Sequence, residues 1–194
     1  MWFIMSESAR GSRINLWLIG ALCVAPVVAS YFAFYVMPPA GHVNYGELMD
    51  ARPLPPVPLR LVDGSPFELG RLRGKWILLT VDSGRCDENC RRKLFTLRQL
   101  RLAQGKDMER IERVWLIDDD AQPPRELATD YEGTWQVRAA GSELLRQLPV
   151  SSTLADHVYV VDPHGNLVLR YARDADPTRI IKDLARLLRA SRIG

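Results

Sequence analysis

The sequence has little net charge, and its charged residues are not gathered into blocks. Its 26 lysines and arginines stand against 23 aspartates and glutamates, which leaves a net charge of +3 over 194 residues. The two signs are interleaved along the chain, and this argues against a nucleic-acid-binding surface. The apolar fraction of 47% is ordinary for a globular protein, so the length predicts one folded domain with an extension.

Charge is absent altogether from residues 14–37. A helix over this range would be about 36 Å long, enough to cross a hydrocarbon core of about 30 Å. Pro26 lies inside it, but a single proline is tolerated in a membrane helix. Arg10 and Arg13 precede the segment, and no lysine or arginine follows it until Arg52. The positive-inside rule therefore predicts a cytoplasmic N-terminus and places the rest of the chain across the membrane.

A cleaved signal peptide is the alternative to a retained anchor. The apolar segment ends without a good small-x-small cleavage site, since residues 38–40 read Pro-Pro-Ala, and we favour the anchor. The prediction is a single-pass protein of the inner (cytoplasmic) membrane, with residues 1–13 in the cytoplasm and the globular part periplasmic or otherwise extracytoplasmic. Cys23 lies within the anchor, and we interpret it as a small apolar residue in lipid.

Proline is concentrated after the apolar segment, where residues 38–58 contain six of the thirteen prolines. Such a stretch cannot form a regular helix, and it predicts an extended, semi-rigid tether. His42 lies in this tether and is interpreted as a surface residue. Residues 59–194 then form the globular domain.

The globular part alternates between strand and helix patterns. A hairpin is predicted over residues 59–69 with its turn at Asp63 and Gly64, and a second one at residues 157–171. The remaining predicted strands cover residues 75–82, 113–118 and 134–138, and the remaining predicted helices cover residues 88–103, 123–131, 142–148 and 177–192. This order predicts an α/β fold in which helices flank a mixed sheet.

Two cysteines stand where a buried strand passes into a helix. Cys86 and Cys90 are four residues apart, and His157 follows about seventy residues later. Two thiolates and one imidazole suit a soft metal ion such as Cu(I). A helix N-terminus favours the thiolate form, whereas the charges of Asp87 and Glu88 oppose it and Arg85 and Arg91 partly offset them, so both directions stay open. A structural disulfide and a redox-active dithiol are the open alternatives for the pair. Asp118, at a strand end near the expected site, is either a supporting residue or a cap.

Four segments carry a resemblance to a known protein family: residues 67–76 (FELGRLRGKW), 86–90 (CDENC), 116–124 (LIDDDAQPP) and 156–165 (DHVYVVDPHG). They resemble the Sco/SenC family of membrane-anchored copper chaperones, which have a thioredoxin-like fold. The first segment is similar to the lead-in of many extracytoplasmic thioredoxin-like proteins, and the second keeps the family's three residues between its cysteines. The third resembles the family's aspartate-rich strand end, and the fourth resembles the segment that carries its metal-binding histidine.

The resemblance implies a thioredoxin-like domain that binds copper, as Cu(I) or Cu(II), through Cys86, Cys90 and His157. It also implies a role in assembling the binuclear copper centre of cytochrome c oxidase. The expected partners are the copper-bearing subunit of that oxidase, other copper chaperones and thiol reductases. One departure is that Asp87 and Arg91 stand where the family usually has prolines next to its cysteines. The chain is expected to be a metallochaperone rather than an enzyme.

An extracytoplasmic thiol–disulfide oxidoreductase is the alternative function. Such enzymes usually have two residues between their cysteines, and thioredoxins place a cis-proline before the hairpin strand, where this chain has Ala155 and Asp156. A peroxidase is disfavoured because its usual threonine-plus-cysteine arrangement is missing. One helix face is basic and is interpreted as a solvated surface or a docking face for an acidic partner. Its residues are Arg91, Arg92, Lys93, Arg98 and Arg101.

Overall fold

The structure, a computed structural model, describes residues 8–36, 44–150 and 152–191 and residue 193. The chain divides into two compact units, Met1–Val43 and Asn44–Gly194. The first unit contains the helix α1 (Ser8–Val36). Its segment Trp17–Tyr35 has a mean hydropathy of 1.9 and is long and apolar enough to cross a membrane.

The second unit is built on a sheet of eight strands in the part of the chain that the structure describes. The strands are β1 (Glu47–Pro53), β2 (Leu59–Leu61), β3 (Pro66–Phe67), β4 (Trp76–Asp82), β5 (Ile111–Ile117), β6 (Thr134–Arg138), β7 (His157–Val161) and β8 (Asn166–Ala172). Their order is β1-β8-β7-β4-β5-β6-β2-β3. The pairs β4–β5 and β5–β6 are parallel, and the other pairs are antiparallel. The predicted mixed sheet is therefore confirmed.

Among the described residues, four α-helices accompany this sheet: α2 (Glu88–Leu102), α3 (Glu126–Asp130), α4 (Glu143–Gln147) and α5 (Pro177–Ala190). The ends of α2 and α5 follow from local chemistry. Asp87 caps α2, because its carboxylate accepts the N–H of Cys90 at 2.9 Å. Asp176 caps α5 in the same way, and Pro177 occupies the first turn, where a missing N–H costs nothing.

The strands β4 and β7 are buried along their whole length because both faces of the sheet carry a core. On one face, side chains of α2 and α5 pack against Leu78, Val158 and Val160. On the other face, Leu79 and Tyr159 belong to a separate cluster. The alternation of side chains along each strand assigns neighbouring residues to opposite faces.

The predicted tether is wrong for residues 47–53, which form the edge strand β1 on β8. Its only proline is Pro53, the last residue of the strand, where a missing N–H is tolerated. The main-chain N–H groups of Tyr45 and Gly46 also bind the buried carboxylate of Asp183, at 2.6 and 3.0 Å. The folded unit therefore begins well before residue 59. Pro38, Pro39 and His42 lie outside the described residues.

Candidate functional site

Cys86 lies in the connection from β4 to α2, and Cys90 lies in the first turn of α2. The two cysteines form a disulfide with a Cα–Cα distance of 5.0 Å. Cys86 has a φ of +45°, a conformation that residues other than glycine seldom adopt and that recurs at functional sites. The side chains are 3% and 1% exposed. The pair is therefore enclosed, and both sulfur atoms are bonded to each other rather than available to a metal.

The disulfide is covered by apolar side chains from α2, β5, the segment around α3 and the turn between β2 and β3. The residues packed with it are Leu94, Trp115, Ile117 and Leu127, with Val62 and Tyr131 partly buried against them. The hydroxyl of Tyr131 donates to the carbonyl of Arg91 at 3.2 Å and fixes part of this cover to α2. The segment around α3 is therefore part of the cover that shields the sulfur atoms from solvent.

The loop before Cys86 is held by Asp119, a residue that the sequence analysis did not single out. Its carboxylate accepts hydrogen bonds from the Ser83 hydroxyl at 2.6 Å and from the Gly84 N–H at 2.9 Å. The hydrogen bond from Ser83 is the main reason that the pKa of Asp119 is lowered. A side chain at position 84 would collide with the carbonyl of Ala121. The run of three aspartates after a buried strand was the available signal.

Asp118, for which the sequence left two roles open, contacts the same region through its main chain. Its N–H donates to the carbonyl of Asp82 at 3.2 Å. Burial raises the pKa of its carboxyl group, and the charge of Asp119 adds to that effect. Asp118 is therefore a main-chain link between β4 and β5 near the disulfide.

A buried ion pair lies between β4 and α2, three to four residues along the chain from the cysteines. The ammonium group of Lys93 is 2.5 Å from the carboxylate of Asp82, and it also donates to the carbonyls of Val81 and Ala155, at 3.1 and 2.5 Å. The side chains are 3% and 10% exposed. Burial raises the pKa of Asp82 to about 6 and lowers the pKa of Lys93.

The prediction of an exposed basic helix face is wrong for Lys93, because its side chain points into the protein. Two of the arginines of that face are also engaged: Arg98 donates to the carbonyl of Asp130 at 3.1 Å, and Arg101 donates to that of Ile111 at 2.9 Å. Arg91 forms an exposed ion pair with Glu126. The sequence did not distinguish Lys93 from the arginines around it.

The structure does not bring His157 to the cysteines. Its ring packs edge-on against that of Tyr159, with centroids 5.8 Å apart, and Tyr159 belongs to the core on the face opposite α2. Burial lowers the pKa of His157, and the charge of Arg170 adds to this. Among the described residues, no group of three or more His, Cys, Asp or Glu side chains could hold a metal ion.

Comparisons with solved structures place this fold among thioredoxin-like proteins. Yeast Sco1 with copper bound has a TM-score of 0.62 at 16% identity, with 74% of this chain and 96% of that one covered. ScoI of Bradyrhizobium japonicum with copper bound gives 0.54 at 18% identity, covering 70% and 99%. A putative protein disulfide isomerase from Bacteroides thetaiotaomicron gives 0.51 at 16% identity, covering 76% and 91%.

The resemblance to Sco/SenC proteins is thus confirmed at the level of the fold, since identities this low carry nothing further. A comparison with curated protein sequences finds no match. A family model described as transmembrane-like, thioredoxin-like, C-terminal domain matches residues 76–191, which contain both cysteines, the ion pair and the hairpin of β7 and β8. The chain therefore belongs to this family of thioredoxin-like domains.

Proposed function

We propose that this chain is a membrane-anchored thiol–disulfide protein that keeps the cysteines of an extracytoplasmic copper site reduced. The observation that carries the proposal is the Cys86–Cys90 disulfide at the N-terminus of α2 on a thioredoxin-like frame. The target that we propose, from the Sco/SenC resemblance, is the copper-bearing subunit of cytochrome c oxidase during assembly of its binuclear centre. The anchor would place the domain on the periplasmic side of the inner membrane.

The reaction is a dithiol–disulfide exchange. One thiolate of reduced Cys86 or Cys90 attacks a sulfur atom of the target disulfide, forms a mixed disulfide and releases one target thiolate. The second cysteine then attacks the mixed disulfide, closes the Cys86–Cys90 bond and releases the other thiolate. The target gains two electrons and two protons, and the same number leave this chain. An external thiol reductant must restore the dithiol afterwards.

The redox state of the full chain in nonionic detergent tests this proposal. We expect Cys86 and Cys90 to open and close together when the protein is equilibrated with glutathione mixtures and its free thiols are alkylated. Cys86→Ser should abolish the transition, and Cys23→Ser is the matched control that should leave it unchanged. A disulfide that opens only after denaturation would show a purely structural role and would contradict the proposal.

Copper carriage is the second candidate, and the three-residue spacing between the cysteines favours it. The solved Sco structures with copper bound share this fold, and two thiolates suit Cu(I). Copper is here the cargo, and only the reduced pair can take it. Cys86 and Cys90 are close enough to bind one ion together, whereas His157 lies on the opposite face of the sheet.

Anaerobic titration of the reduced full chain with Cu(I) separates the two ligand sets. We expect uptake of about one ion that requires both cysteines and that is unchanged in His157→Ala. Loss of binding in His157→Ala would show instead that reduction assembles the three-ligand site. Absence of Cu(I) uptake would eliminate copper carriage and leave the redox proposal standing.

A further inference from the structure

A cleft lies at the other end of α2 from the disulfide. Its volume is about 470 Å³, which is within the range of small-molecule sites. It is bounded by the C-terminal half of α2, the start of β5 and the segment that joins α3 to β6. The lining residues include Arg98, Arg101, Arg113, Thr129 and Gly133.

The central residue of this cleft is Arg113, whose buried guanidinium has no ion-pair partner in the part of the chain that the structure describes. The residue is 4% exposed, and its Nη2 donates to the carbonyl of Glu132 at 2.5 Å. Its Nε and Nη1 are buried and have no hydrogen-bond partner among the described residues. Burying a cation in this way is costly unless a counter-charge lies nearby.

The neighbouring arginines add positive charge near Arg113, and one of them, Arg101, is itself paired with Glu109 at 3.2 Å. Burial lowers the pKa of Arg113, the charges of Arg101 and Arg98 lower it further, and Glu112 raises it by a smaller amount. Glu112 also accepts the indole N–H of Trp135 at 3.0 Å. Two more acidic residues, Asp130 and Glu132, line the cleft but bond the arginines through main-chain carbonyls rather than carboxylates.

At the rim of the cleft, the main chain of Gly133 packs closely against the guanidinium of Arg113. Gly133 has a φ of +77°, and a Cβ atom there would be 3.1 Å from the Nη2 of Arg113. Thr129 contributes a hydroxyl group that can donate to or accept from a ligand. Guanidinium groups bind oxyanions in a planar, multidentate geometry.

We propose that this cleft binds a small molecule carrying a phosphate-type oxyanion, which supplies the counter-charge that Arg113 lacks. Arg98 and Arg101 would contact the anion from α2. Arg113 would stabilise it through its charge from beneath. The site is independent of the redox or copper chemistry at the cysteines, so either can fail without the other.

Calorimetric titration of the full chain in nonionic detergent at low ionic strength, with inorganic phosphate and pyrophosphate as probes, tests the proposal. We expect saturable binding that chloride at equal ionic strength does not reproduce. Arg98→Gln removes an exposed arginine of the cleft and should weaken binding at least about tenfold. Arg92→Gln removes an exposed arginine of the same helix outside the cleft and should leave the affinity unchanged.

Two results would overturn the proposal. One is the lack of saturable binding of either probe. The other is an equal loss in Arg98→Gln and Arg92→Gln, which would indicate a general response to net charge. Arg113→Met risks a folding defect, so thermal unfolding of this variant must first show a cooperative transition. Its phosphate affinity is then compared with that of wild type. A folded Arg113→Met variant that binds phosphate as tightly as wild type would also contradict the proposal.

Discussion

Two buried cations lie toward opposite ends of α2, and their surroundings differ. Lys93, near the disulfide, has the Asp82 carboxylate and two carbonyl groups within hydrogen-bonding distance. Arg113, on β5 near the other end of the helix, has one carbonyl group and two arginine neighbours. The protein itself supplies the counter-charge of Lys93, whereas in our proposal a ligand supplies that of Arg113. Burial alone therefore does not mark a binding site; a missing counter-charge does.

Replacing Lys93, the paired cation, is expected to have the largest effect on stability. Lys93→Met leaves the Asp82 carboxylate buried and alone, so at about pH 8 the free energy of unfolding should fall by about 3–5 kcal/mol. Denaturant unfolding of the full chain in nonionic detergent measures this. The double variant Asp82→Leu, Lys93→Met should regain most of the loss because an apolar pair fills the same space. A double variant as unstable as Lys93→Met would refute this account of the ion pair.

The pH dependence of stability should report the same pair. The pKa of Asp82 is raised from 3.8 to about 6 in the folded state, so the folded protein binds more protons than the unfolded chain between these values. Asp82 therefore adds about 3 kcal/mol to the free energy of unfolding below about pH 4, and this stabilisation is lost as the pH rises through about 6. Subtracting the profile of Asp82→Asn from that of wild type isolates it. A flat difference between the profiles would contradict the raised pKa.

Removing the unpaired cation should cost less. Arg113→Met loses one hydrogen bond to Glu132 but also removes an uncompensated charge, so we expect a change of no more than about 1.5 kcal/mol without phosphate. The same unfolding measurement as for Lys93→Met gives the comparison. Equal losses in the two variants would mean that Arg113 is as well compensated as Lys93.

The smallest expected effect concerns the cover over the disulfide. Tyr131→Phe removes the hydrogen bond to Arg91 and should loosen the cover by about 1 kcal/mol, which corresponds to roughly fivefold faster reduction by dithiothreitol. Thiol alkylation at timed intervals measures the rate. Tyr45→Phe, which removes the hydroxyl that accepts the N–H of Asp176, is the matched control. Equal rates in both variants would show that Tyr131 does not limit access.

Much of the fold could be predicted because its signals are local. The sequence predicts a helix from Ser142, which caps α4, and the predicted Asp63–Gly64 turn joins two short strands. The strand β1 was missed because the prolines on both sides of it suggested an extended tether. A strand pairs with a partner that is distant in sequence, and no local pattern reveals that β8 needs a neighbour.

The candidate site was predicted less completely, and His157 shows why. All five residues of β7 are buried, because both faces of the sheet are covered. The sequence HVYVV therefore has no polar–apolar alternation from which to tell its faces apart. A shift of one residue would move the imidazole to the face of the cysteines. The adjacency of Cys86 and Cys90, in contrast, follows from their spacing along a single turn.

The position of β1 has a practical consequence for anyone preparing the folded domain without the N-terminal helix α1. A fragment that starts at residue 59 would uncover the edge of β8 and invite strand-to-strand self-association. It would also remove the main-chain N–H groups of Tyr45 and Gly46, which donate hydrogen bonds to the carboxylate of Asp183. A fragment that starts at residue 44 keeps β1 paired with β8. Comparing the solubility of the two fragments therefore tests where the folded domain begins.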